Sequence, residues 1–192
     1  MKLNLFNMVH YSHFLMTSFL KEDSIVVDAT CGNGHDSLFL CKTMKGKGFL
    51  YSFDIQAEAI EHTQRLLSHE CKYSNYKLIH DCHSQINTYI KAPIDFAVYN
   101  LGYLPNSLST LSTQGDTTLE SLSKTVSQLA LKGYVLIVAY LGHDNSKERD
   151  LIKEYLQNLD QKYYKAVHHK MINMNNYPPE VFILQKVHDA NF

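Results

Sequence analysis

No run in this 192-residue chain comes near the ~20 consecutive apolar residues that a membrane span requires. Charge of one sign is missing too: 18 Lys plus Arg face 19 Asp plus Glu, for a formal net charge of -1. That balance excludes a nucleic-acid protein held by bulk basic charge and leaves such a partner only through a local patch. Glycine and proline are few, eight and four, and no Gly/Ser or Pro linker and no internal repeat divides the chain. The four cysteines, Cys31, Cys41, Cys71 and Cys82, show no C-x-x-C spacing. The first twenty residues lack the clean apolar centre and small-residue cleavage site of a signal peptide. Reduced thiols and a cytoplasmic location are therefore expected. What is present is ample core material: 45% apolar residues, with 13 Tyr and 9 Phe, exclude intrinsic disorder. One domain is the natural count for this length.

Short β-branched runs alternate with segments of helical period. Strands are expected at 24–28, 49–54, 76–80, 94–99 and 134–140, the last fully buried. Helices are expected at 34–44, with Leu38, Phe39 and Cys41 inward, and at 56–69, with Ile60, Thr63 and Leu67 at helical spacing. Another spans 117–131, with Leu119, Leu122, Val126 and Leu129 as its stripe, a Thr117/Glu120 capping box and Gly133 as its C-terminal cap. Ser146 caps a last helix, with Leu151, Ile152, Tyr155, Leu156 and Leu159 inward. Residues 100–116 show no period and read as a long, functional loop. Two closing strands, 163–172 and 181–187, are joined by too few residues for a helical crossover, so they pair antiparallel. The pattern is α/β: a mostly parallel, doubly wound sheet closed by a hairpin.

Asp28-Ala-Thr-Cys-Gly-Asn-Gly34 lies between the first strand and first helix, where open parallel sheets bind ligands. Gly32 and Gly34 permit a tight turn and close approach of a ligand. Asp54 ends the second strand, where its carboxylate can take both hydroxyls of a ribose. A dinucleotide fold wants a third glycine where Ser37 stands. An acid ahead of the glycines suits the ammonium of an amino-acid tail instead. The alternative is a tight turn with a surface Asp.

These residues resemble the class I S-adenosylmethionine-dependent methyltransferases, whose loop reads acid-x-Gly-x-Gly-x-Gly, with Thr30 here replacing the first glycine. A narrower resemblance covers nearly the whole chain. Val27-Asp-Ala-Thr-Cys-Gly-Asn-Gly-His-Asp36, Asn100-Leu-Gly-Tyr-Leu-Pro105, Thr117-Thr-Leu119, Tyr140-Leu-Gly-His143 and Asn175-Asn-Tyr-Pro-Pro179 occur in order. This is similar to a bacterial family long labelled rRNA methylase and associated with methylating 5-aminomethyl-2-thiouridine at the tRNA wobble position. The resemblance implies one Rossmann-like methyltransferase domain over 1–192, a helical segment at 1–22 and a seven-stranded core at 23–192. Relatives usually carry a Gly-Gly-Asp-Lys-like stretch after Pro105, whereas Asn106-Ser-Leu-Ser109 stands here.

By resemblance, Asp28, Thr30, Gly32, Asn33, Gly34 and Asp36 surround the methionine end of the cofactor. Asp54 takes the ribose with Gln56 beside it, and Asp81 or Cys82 meets the adenine. Asn100, also beside the cofactor, resembles the Asn of the Asn-Pro-Pro-Tyr loop that accepts hydrogen bonds from a target nitrogen. Tyr103 shares its loop. Tyr140 and His143 are the candidate bases for a protonated acceptor amine. His10, His13, Thr117, Asn176, Pro178 and Lys165 are the substrate-side candidates. Lys165 belongs to the basic stretch Lys162 to Lys170, whose cations would meet phosphates and whose tyrosines would stack on a base. The implied partner is the tRNA anticodon stem-loop; no membrane is implied, and a homodimer stays open. His80, Asp81, Cys82 and His83 are ligand types, but adjacent strand-end residues cannot all converge on one ion, so no metal is expected. Alternatives are an rRNA or small-molecule amine as acceptor, an NAD-dependent oxidoreductase, and a non-catalytic cofactor-binding module.

Overall fold

The β-branched run at 25–28 becomes strand β1 (Ile25–Asp28), flanked by β2 (Phe49–Asp54) and β4 (Ile94–Leu101). The computed structural model describes residues 7–102, 115–141 and 146–189. Within these, β3 (Tyr76–His80), β5 (Leu129–Ala139), β6 (Tyr164–His169) and β7 (Glu180–Lys186) complete a sheet of order β3-β2-β1-β4-β5-β7-β6. All pairings are parallel except β5 with β7 and β6 with β7. The antiparallel strand thus sits one place in from the edge, as the short link between the last two strands predicts.

Helices cover both faces. On one side α1 (Met8–Phe19), α2 (His35–Met44) and α3 (Ala57–Glu70) bury Met16, Leu40, Met44 and Leu67 against Val26, Leu50, Phe96 and Val98. On the other, α4 (Ile86–Tyr89), α5 (Gly115–Ser127) and α6 (Lys147–Gln157) bury Ile86, Leu122, Val126 and Ile152 against Val27, Ala97, Tyr99 and Ile137. The Asn7 side chain caps α1 by accepting the His10 N–H at 3.0 Å. Among the described residues no helix is long and apolar enough to cross a membrane.

Several local expectations are corrected. The helix expected over 117–131 begins at Gly115 and ends at Ser127. Leu129 pairs with Ile94 as the first residue of β5, because that pairing outweighs its helical spacing. Gly133 is no cap: the β4–β5 register shifts there, Lys132 adopts φ 66°, and a Cβ on Gly133 would lie 2.9–3.1 Å from three carbonyl oxygens. Thr117 lies inside α5, and Glu120 pairs with Lys124 at 2.6 Å instead of closing a capping box. The inner face of α5 is Thr118, Ser121, Leu122, Thr125 and Val126, with Leu119 only half-buried. Its hydroxyls face the phenol of fully buried Tyr99, at 2.9 Å from Ser121 and 2.7 Å from Thr125. On α2 the buried face is Ser37, Leu40, Cys41 and Met44, while Leu38 and Phe39 lie at its margin. Ser146 precedes α6 with φ 67° and makes no side-chain capping bond.

Candidate active site

The carboxyl ends of β1, β2, β3, β4 and β5 share one edge of the sheet, because these strands run parallel. At that edge the chain leaves β1 through Asp28 and turns at Gly32 (φ 50°) and Gly34 (φ 82°) into α2. The turn is pinned by backbone bonds from Cys31 N–H to Phe53 O at 2.9 Å and from Gly34 N–H to Cys31 O at 2.7 Å. A Cβ on Gly34 would stand 2.8 Å from Thr63 Oγ1 and 2.9 Å from Thr63 Cα, a backbone atom that cannot move aside. Gly34→Ala is therefore expected to cost about 1–3 kcal/mol, from positive φ and from this overlap. Urea unfolding measures it, and parent-like stability would show the turn to be looser than drawn.

Asp28 sits beneath this turn, 1% exposed. Its Oδ1 accepts the Thr30 N–H at 3.2 Å and its Oδ2 the Ser37 hydroxyl at 2.6 Å. Burial, and then the charge of Asp36, push its carboxyl up to about 7 against the pull of those two bonds. The folded state then holds a proton that the unfolded chain has released above pH ~4. Stability contributed by Asp28 is complete below pH ~4 and is lost as pH rises toward 7, a change on the order of a few kcal/mol. Unfolding at pH 5 and pH 8 should show that loss in the parent and a smaller one in Asp28→Asn. Equal losses would show that Asp28 does not carry it. Burial also pushes the Cys31 thiol up, so this cysteine stays protonated.

Asp54 ends β2 with its carboxylate on the same edge. Its Oδ2 accepts the Gly32 N–H at 2.9 Å and its Oδ1 the Gln56 N–H at 3.0 Å, with Gln56 at the N-cap of α3. Ile55 between them is 47% exposed, an apolar surface beside the acid. Past β3, Asp81 accepts from Cys82 N–H at 2.7 Å and from the Tyr89 hydroxyl at 2.8 Å. Cys82 caps the single turn 83–85. The residues 80–83 turn apart, with His80 on Ile55 O at 3.0 Å and His83 on Ala29 O at 3.1 Å. Among the described residues no three His, Cys, Asp or Glu converge on a metal position.

Asn100 lies inside β4, one residue from its end, rather than in the loop that follows. Its N–H donates to Thr30 Oγ1 at 2.7 Å, and its Nδ2 donates to Asp36 Oδ2 at 2.5 Å. Asp36 Oδ1 meets His13 Nε2 of α1 at 2.7 Å. Asn100 Oδ1 is buried and has no partner. Tyr140, 38% exposed, follows β5, and its ring carbons approach the Cβ position of Gly102 to 3.7 Å. Burial, and then the charge of Asp36, raise the Tyr140 phenol above its ordinary value. Tyr103, His143 and the stretch 106–109 lie outside the described residues.

The substrate-side candidates are not gathered in one place. His13 is at the centre, while His10 is exposed on α1. Thr117 is half-buried in the first turn of α5. Asn176, exposed, and Pro178, half-buried, lie between β6 and β7, on the link that topology brings to the same sheet edge. Lys165 is near the opposite end of β6 and donates to Gln161 O at 2.8 Å.

Two features escaped sequence reasoning. His83 is 8% exposed with Nε2 unpartnered, and burial lowers its pKa, so it is a neutral imidazole under the loop. Its place one turn past the third strand was visible, but the Ala29 carbonyl it meets was not. Glu180 is a buried carboxylate held by Arg149 Nη1 at 2.9 Å and by His168 Nε2 at 2.8 Å. Burial pushes the Glu180 carboxyl up, but Arg149 and then His168 outweigh it and hold the group below the usual carboxylate range.

The family described as "Putative rRNA methylase" matches residues 50–185. A curated relative is the chloroplastic tRNA (mnm(5)s(2)U34)-methyltransferase of Arabidopsis thaliana, 30% identical over 91% of this chain and 68% of that protein. Among solved structures, a "putative rRNA-methylase" from Clostridium thermocellum is 35% identical with TM-score 0.90, covering 96% of this chain and all (100%) of its own. A "putative methyltransferase" from Streptococcus mutans, in complex with SAH (S-adenosylhomocysteine), is 33% identical with TM-score 0.86 over 97% and 100% of the two chains. The residues present fit S-adenosylmethionine. A carboxylate at the end of β2, an apolar surface at Ile55 and two orphaned buried polar atoms, Asn100 Oδ1 and His83 Nε2, line the edge. The chain thus belongs to the rRNA methylase family matched here and is an S-adenosylmethionine-dependent methyltransferase.

Proposed function

We propose that this enzyme methylates the primary amine of 5-aminomethyl-(2-thio)uridine at the tRNA wobble position, giving 5-methylaminomethyl-(2-thio)uridine. The observation that carries the reading is the orphaned acceptor: Asn100 Oδ1, buried and unpartnered at the end of β4. A buried acceptor without a donor is costly unless a ligand supplies one. An amine nitrogen with N–H groups to spare does so, and accepting one of them turns its lone pair in a defined direction. The Arabidopsis relative, named for this nucleoside, supports the same choice.

Asp54 would accept from the ribose hydroxyls, Asp81 or Cys82 would meet the adenine, and the turn from Asp28 to Gly34 would surround the amino-acid tail. When bound, the cofactor supplies an electrophilic methyl on a cationic sulfur. The protein's share is to hold the amine in line and keep water out. An alkylamine resembles Lys, with a pKa of about 10.4, so it must first lose a proton. Desolvation beside a cation favours that loss. His143 remains the candidate base.

Nucleoside mass spectrometry tests the reading. Purified protein and S-adenosylmethionine are added to tRNA bearing aminomethyl-uridine, to the same tRNA without it, and to ribosomal RNA. The expected result is one added methyl on that nucleoside alone. Methylation of ribosomal RNA instead would move the assignment to the acceptor that the family's description names.

A further inference from the structure

We infer that Asp36 and His13 are positioning residues that orient the Asn100 carboxamide, so that its oxygen and not its nitrogen faces the acceptor. The inference rests on the proposed transfer to an amine, and it gives both residues a task other than direct contact with cofactor or substrate.

A carboxamide has a donor end and an acceptor end of nearly the same shape. Asp36, in the first turn of α2, settles which end goes where. An ionised carboxylate only accepts, and its Oδ2 lies 2.5 Å from Asn100 Nδ2. A flipped amide would set oxygen against oxygen at that distance, so the NH2 group is held on Asp36 and Oδ1 must point the other way. The main chain cannot turn to compensate, because the Asn100 N–H is tied to Thr30 Oγ1 at 2.7 Å. Asp36 is itself fixed. It is 8% exposed, the helix N-terminus favours its charge, and His13 occupies its second oxygen at 2.7 Å. The His13 ring is stacked on Phe39 with centroids 4.0 Å apart, which anchors the outer member of the row. Three elements, α1, α2 and β4, thus converge on one choice of amide orientation. Without the carboxylate the amide can turn its NH2 outward. The amine then meets a donor where it needs an acceptor, and its lone pair is lost to the wrong direction.

The test reads the amide itself besides the rate. In protein with 15N-labelled asparagine side chains, the Asn100 resonances are assigned by their loss in Asn100→Ala. One Nδ2–H is expected downfield and slow to exchange, held by the carboxylate. Asp36→Ala should lose that signature and slow transfer at saturating substrate about a hundredfold, a usual loss for a misplaced reacting group. S-adenosylhomocysteine affinity by calorimetry should stay within about threefold, since no cofactor contact is removed. His13→Gln, which keeps a donor near the Nε2 position, should retain the signature, and His13→Ala should weaken it. Asp36→Ala with an unchanged signature and rate overturns the inference. So does a large loss of S-adenosylhomocysteine affinity with an unchanged saturated rate, which would make Asp36 a cofactor ligand. A signature that responds as expected in a protein that methylates no amine supports the orientation and overturns the substrate reading alone.

Discussion

Replacing Asn100 by Ala is expected to slow methyl transfer about a hundred- to a thousandfold, the range seen when one preorganised hydrogen-bonding partner of a reacting group is removed. S-adenosylhomocysteine affinity should stay within about threefold, because on the proposed function the deleted oxygen serves the acceptor and not the cofactor. The split between rate and binding distinguishes a chemical role from a structural one. A structural Asn would take stability and affinity down with the rate. Loss of the side chain leaves Asp36 Oδ2 without its 2.5 Å donor, so a modest fall in thermal stability accompanies the change. Asn100→Asp is the informative companion. It keeps an acceptor but sets a second carboxylate against Asp36, and the two must share a proton. The rate of that variant should rise as pH falls toward the point where the pair holds one. Single-turnover transfer at saturating cofactor measures both variants, and parent-like transfer by Asn100→Ala would remove Asn100 from the chemistry.

The sheet was legible because each strand carries its own mark. Ile25 to Asp28, Phe49 to Asp54 and Tyr76 to His80 are short apolar runs ended by a polar residue, and they form β1, β2 and β3 with those bounds or within one residue of them. The hairpin followed from counting the link between the last two strands. The α5–β5 boundary was not legible. Leu122, Val126 and Leu129 continue a helical stripe, and nothing local reveals that Ile94 pairs with Leu129. The polar inner face of α5 misled for the same reason, since Thr118, Ser121 and Thr125 look solvent-facing until the Tyr99 hydroxyl is placed between two of them. At the site, the order of acid, glycines and strand-end acid placed Gly32, Gly34 and Asp54 along one edge. The row His13, Asp36, Asn100 could not be read, because its members are 23 and 64 residues apart and meet only when α1 docks on α2. Glu180 was hidden likewise: its partners Arg149 and His168 come from a helix and a neighbouring strand, and only packing shows that the carboxylate is buried.

Asp54→Ala is the second change expected to have a large effect, this time on cofactor binding. Asp54 does two things at once. It offers a charged acceptor at the end of β2, and it holds the glycine turn through the Gly32 N–H at 2.9 Å. Two hydrogen bonds from a ribose to a charged group contribute about 1.5–3 kcal/mol each. Removing them should weaken S-adenosylhomocysteine binding about a hundredfold or more, at 1.4 kcal/mol per factor of ten. The turn keeps its other ties, Cys31 N–H to Phe53 O and Gly34 N–H to Cys31 O, so folding should survive. Separating the two contributions needs a second ligand. A 2′-deoxy analogue of S-adenosylhomocysteine has already lost one of the bonds in question, so it should suffer less from Asp54→Ala than the parent ligand does. If both ligands weaken equally, Asp54 acts through the turn and not through the ribose. If neither weakens, the nucleoside lies elsewhere on the edge, and the placing of the amine beside Asn100 falls with it.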